Sequence, residues 1–88
     1  MFTRHAQARM QQRAISNRAV EILMTYGEYR NHRGAEVCYL TTRSRIWMLR
    51  DLGKRGFMKL EKMLNAYLVV ADDGVVITAG HRLHRLKF

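Results

Sequence analysis

The chain contains no proline, so every element has to be ended by glycine or started by a capping side chain. Its six glycines, Gly27, Gly34, Gly53, Gly56, Gly74 and Gly80, therefore map out the fold. Thr3 is placed to cap a helix from about Arg4 to Ala14, a stretch with no β-branched residue. Ser16 caps a second helix over Asn17 to Tyr26, where Ala19, Val20, Ile22, Leu23 and Met24 give a broad apolar face. Gly27 follows in the place of a left-handed C-terminal residue. Glu28 to His32 and Glu36 to Thr42 form a hairpin about Arg33-Gly34, since Val37, Cys38, Tyr39 and two threonines favour a pleated surface.

Ser44 is in place to cap a helical stretch from Arg45 to Leu52, and apolar residues at Phe57, Leu60, Met63 and Leu64 continue at helical spacing, with Gly53 and Gly56 breaking the two apart. Tyr67 to Ala71 and Val75 to Ala79 flank Asp72-Asp73-Gly74, a tight turn between two β-rich runs. The expected order is helix, helix, two strands, helical segment, two strands. That order gives an α+β fold, a small antiparallel sheet of about four strands with helices packed on one face. At 88 residues the chain makes one domain, 1–88, and is too short for two.

Composition narrows the function. A hydrophobic fraction of 48% with 26% charged residues is globular composition. The longest apolar runs reach six residues, well short of the roughly 20 that cross a bilayer, and the first residues carry Arg4, His5 and Arg9 instead of an apolar signal core. No membrane partner and a cytoplasmic location are expected. The lone Cys38 makes no intramolecular disulfide, and its apolar strand setting reads as core. Net charge is +9, from 16 basic and 7 acidic side chains, and the excess is clustered. Residues 1–18 carry four arginines and no acid, 43–62 carry seven basic against two acidic groups, and 81–88 add three cations. Twelve of the sixteen cations are arginine, whose planar fork binds phosphate and stacks on bases. The partner expected is RNA or another nucleic acid.

Two places could carry chemistry. On the first helix His5, Arg9 and Arg13 form one stripe beside Phe2, Ala6 and Met10, where the helix meets the body. Either the arginines lie at the core edge, bonded to Glu21, Glu28 or strand carbonyls, or they line a phosphate-binding cleft. In the second place a β-rich run ends in Gly80-His81-Arg82, which either delivers His81 and Arg82 to one end of the sheet or begins a solvated basic tail. Tyr39 and Tyr67 read as core or cross-strand aromatics. With no thiol pair, no Gly-rich phosphate loop and scattered acids, no metal site and no cofactor is expected. Metal-free RNA cleavage remains, in which a histidine takes the 2′-hydroxyl proton and arginines stabilise the crowded phosphate. The catalytic candidates are His5, Arg9, Arg13 and His81; the nucleic-acid-binding candidates are Arg18, Arg43, Arg45, Arg82 and Arg85.

The opening run HAQARMQQRAIS, with a His-x3-Arg-Met-x2-Arg-x-Ile-Ser pattern, resembles the signature of a family of small bacterial domains of unknown function. The later VVADDGVVITAGHR resembles that family's closing hairpin, and the two blocks together cover 26 of 88 residues. The family is placed near the RelE, ParE and BrnT toxins, compact antiparallel sheets with helices on one side. Several of those cut RNA without a metal and are neutralised by an acidic antitoxin. The resemblance implies that His5, Arg9 and Arg13 are the functional residues, with Arg82 opposite them. This chain departs from the family pattern in its longer basic segment from Arg43 to Lys62. The expected function is a toxin-like basic protein acting on RNA, a metal-free ribonuclease of a toxin–antitoxin-like system. The alternative is a non-catalytic nucleic-acid-binding module, or a protein-interaction module in which Trp47, Met48 and Phe57 anchor an acidic partner.

Overall fold

A computed structural model describes residues 1–82. Helix α1 (Arg4–Gln12) is capped by Thr3, whose hydroxyl accepts from the Ala6 amide at 3.0 Å. It ends in a Schellman turn: the Ile15 amide reaches back to the Met10 carbonyl at 2.8 Å, and Ala14 takes the left-handed conformation, φ 54°. The turn sends Ile15 back onto Met10 in the core and leaves Ser16 to cap α2 (Asn17–Tyr26). The Ile15-Ser16 pair that closes the run HAQARMQQRAIS is thus a helix-to-helix corner. Gly27 is not left-handed (φ −70°, ψ 160°). It is glycine because a Cβ there would stand 2.3 Å from the Leu23 carbonyl and 2.9 Å from the Cys38 sulfur.

Strands β1 (Glu28–His32) and β2 (Ala35–Tyr39) turn on Arg33 and Gly34, with φ of 53° and 83°, the pair of left-handed residues that a two-residue hairpin needs. Helix α3 (Thr42–Met58) starts three residues earlier than its periodicity suggests. Thr41 is the cap and Ser44 answers it from the third position, each side chain accepting the other's amide. Gly53 (φ 73°, ψ 169°) breaks the helix as expected, whereas Gly56 lies within its second segment. A short 3-10 helix (Glu61–Met63) leads into β3 (Ala66–Val70), and β4 (Val76–His81) follows after the Asp72-Asp73-Gly74 turn. β4 therefore carries Gly80 and His81 within the strand.

The four strands pair antiparallel in the order β1-β2-β3-β4. Alternation splits the sheet into two faces. The row Cys38–Leu68–Ala79 is wholly buried and meets α1 and α2, while the next row, Tyr39–Tyr67–Gly80, turns to the opposite side with its tyrosines half-buried. The helices thus pack on one face, in an α+β fold. Leu23, Leu40, Met48 and Leu68 are fully buried, each stabilising by about 1.5–3 kcal/mol. Met48 is therefore a core residue and Phe57 packs against the core, so of the three interface anchors expected only Trp47 is exposed. Among the described residues no helix is long and apolar enough to cross a membrane.

Candidate functional site

β4 is an edge strand, and α1 runs beside it in the same direction. The Thr3 amide donates to the Val76 carbonyl and the Thr3 hydroxyl to the Ile77 carbonyl, both at 3.0 Å. Ten residues beyond Thr3, a one-residue bulge having shifted the register of β4, the Arg13 guanidinium donates to the Ala79 carbonyl at 2.9 Å. Of the two readings of the arginine stripe, Arg13 thus takes the strand carbonyl. It also terminates α1, so its own carbonyl is one of those the helix leaves without an internal partner. His81 supplies that partner through Nε2 at 2.8 Å. A carbonyl can only accept, so Nε2 carries the hydrogen and, in the neutral ring, Nδ1 is the acceptor.

Gly80 lies between these bonds. A Cβ there would sit 2.6 Å from Arg13 Nη1 and 2.8 Å from the Tyr67 hydroxyl, so guanidinium and phenol converge over a position that only glycine leaves open. Across the sheet Tyr67 pairs with Tyr39. The Arg82 guanidinium stands over the Tyr39 ring at 5.7 Å and donates to the Leu40 carbonyl at 3.0 Å.

On the helix side of His81 is a cavity of about 300 Å³, walled by the α1–α2 corner, the start of α2 and the segment from Lys59 to Met63. Arg18, Lys59, Lys62 and His81 bring the ionisable groups, and no carboxylate is among the described residues that line it. Arg18 makes a 4.0 Å contact with Glu21 in which both side chains are largely exposed, a pair worth little. Beside Phe2, Gln7 and Gln11 is a wider, open hollow, and none of the described residues that line it is ionisable.

Of the residues picked out from the sequence, Arg18 and His81 line the cavity of about 300 Å³, and Arg13 is joined to His81 through its carbonyl while its guanidinium lies beside Tyr67. Arg9 and His5 do not line the cavity: one and two helical turns back from Arg13, they lie about 6 and 12 Å away along the axis. His5 is exposed, and the half-buried Arg9 makes a long 3.4 Å bond to Gln12. Arg82 belongs to the tyrosine face, and Arg43 and Arg45 lie in the first turn of α3, outside the cavity wall. Arg85 lies outside the described residues. Lys59 and Lys62 were missed as site residues, because in sequence they are two members of a long basic segment and nothing in their spacing points at His81. Among the described residues no group of three or more His, Cys, Asp or Glu could hold a metal ion. Cys38 is buried, donates to the Leu23 carbonyl at 3.2 Å, and burial pushes its thiol up to about 11. It is no nucleophile at neutral pH.

A family model described as Domain of unknown function (DUF4258) matches residues 2–81. The chain belongs to that family. The matched span runs from the start of α1 to the end of β4 and so includes every residue around His81 named above, with Arg82 just outside it. No curated protein and no solved structure matches the chain.

Proposed function

We propose that this DUF4258 domain is a toxin-like basic protein of RelE-like fold that acts on RNA in the cytoplasm as a metal-independent endoribonuclease. The observation that carries the reading is His81: a histidine with its Nε2 held by a backbone carbonyl, on the wall of a cavity with three cations and no described acid. A base fixed by a hydrogen bond on one ring nitrogen presents the other to substrate, the logic of an oriented catalytic histidine. His81 Nδ1 takes the proton of the 2′-hydroxyl as that oxygen bonds to phosphorus. The phosphorus–5′-oxygen bond then breaks, and the 5′-oxygen takes a proton from the ammonium of Lys59 or Lys62, leaving a 2′,3′-cyclic phosphate. Arg18 faces the charge that builds on the phosphoryl oxygens. The sheet with helices on one face and the +9 charge support the toxin-like assignment, and an acidic antitoxin-like protein is the partner such a surface fits.

A second reading, a non-catalytic RNA binder, is favoured by the economy of the bonds at Arg13: its guanidinium and its carbonyl both join α1 to β4, a structural use. The test is incubation of structured and unstructured RNA with the protein in EDTA. Wild type is expected to cleave, and His81→Gln, which keeps a donor for the Arg13 carbonyl, to lose about 10²–10⁴-fold in rate with an unchanged circular dichroism spectrum. Cleavage that EDTA abolishes overturns the metal-free mechanism. RNA shifted on a gel but left intact establishes the binder, with an affinity that falls steeply with salt.

A further inference from the structure

The cavity beside His81 has two kinds of wall. Its floor is apolar: Ala19 is buried in the core, and Leu60 and Met63 pack half-buried against it. Its rim is cationic, with Arg18, Lys59 and Lys62. At about 300 Å³ it is at the lower end of the range for small-molecule sites, too small for a folded partner or a peptide helix. A purely electrostatic surface for polyanions has no use for an apolar recess, and a greasy pocket has no use for three cations. A ligand that satisfies both has a flat apolar body joined to a phosphate. We propose that this cavity binds one nucleotide, its base on the Ala19–Leu60–Met63 floor and its phosphate on the Arg18–Lys59–Lys62 rim.

The inference rests on the RNA reading for its biological source but not for its chemistry: the nucleotide is either one unstacked residue of an RNA chain or a free mononucleotide. An RNA residue seated here has its phosphate beside His81, where cleavage would occur. Unpaired RNA is then the substrate class, because a base inside a duplex cannot reach the floor.

The test is titration of the full chain, at fixed ionic strength, with inorganic phosphate, uridine monophosphate and a short oligouridine, read by backbone amide shifts. Uridine monophosphate is expected to bind at least about tenfold tighter than phosphate, because the base adds contact with the floor. Lys62→Glu is expected to weaken it about tenfold, and Arg50→Glu, the same change of charge on the exposed side of α3, by less than about threefold. Oligouridine that displaces the mononucleotide assigns the pocket to an RNA residue; failure to displace it assigns the pocket to a free nucleotide. Equal binding of phosphate and uridine monophosphate, or equal effects of the two variants, overturns the proposal. Mononucleotide binding with RNA neither cut nor bound keeps the pocket and removes the ribonuclease.

Discussion

Helices α1 and α3 are both rich in arginine, yet they use it in opposite ways. On α1, Arg13 is tied at both ends, its guanidinium to the Ala79 carbonyl and its carbonyl to His81, so the cation has one position and a partner strand. On α3, Arg43, Arg50 and Arg55 stand exposed among Ile46 and Trp47, which keep 59% and 53% of their surface in solvent. Only Met48 and Ser44 of α3 are buried. Charge density is similar; commitment to the fold is not. A backbone bond commits Arg13 to β4, while the cations that line the cavity beside His81, Arg18, Lys59 and Lys62, come from α2 and from the segment that follows α3.

This contrast can be broken by mutation. The largest effect expected is within α3: Met48→Ala should cost about 2–5 kcal/mol in urea denaturation, because it empties a wholly buried site. Its neighbour Trp47→Ala should stay within about 0.5 kcal/mol. Equal losses would mean that α3 is not one-sided. Next, Arg13→Ala should destabilise by about 1 kcal/mol, since it removes a partly buried charged donor from an edge carbonyl. Arg50→Ala should again stay within about 0.5 kcal/mol. An Arg13 effect as small as that of Arg50 would show that the strand bond contributes nothing and that the two helices are alike. The smallest effect sharpens the α1 side: Ala14→Gly should stabilise by about 0.5–1 kcal/mol, because Ala14 holds a φ of 54° that a Cβ disfavours. No gain in the denaturation midpoint would argue against a left-handed Ala14.

Much of the frame was legible in the residues. The bounds of α2 follow from Ser16 and the apolar face between Ala19 and Leu23, and both hairpins follow from Arg33-Gly34 and Asp72-Asp73-Gly74, because caps and turns are local chemistry. Gly27 was misread for the complementary reason. Its position after a helix suggests left-handed backbone, but the force that selects glycine is the Cys38 sulfur and the Leu23 carbonyl pressed against it, and Cys38 arrives from another element. The site was half legible: Arg13 and His81 stood out by type, whereas Lys59 and Lys62 did not, and His5 and Arg9 shared the Arg13 stripe without sharing its place.

The sequence alone determined the order of elements, the apolar faces and the excess of positive charge, since helical and strand periodicities and turn residues act over a few neighbours. Only the tertiary structure decided which cations meet. The bonds that build the site join Arg13 to Ala79 across 66 residues and to His81 across 68. No periodicity encodes such a meeting. It follows from which strand takes the sheet edge and from the Schellman corner that halts α1 beside the end of that strand, where an orphan helix carbonyl and an imidazole satisfy one another.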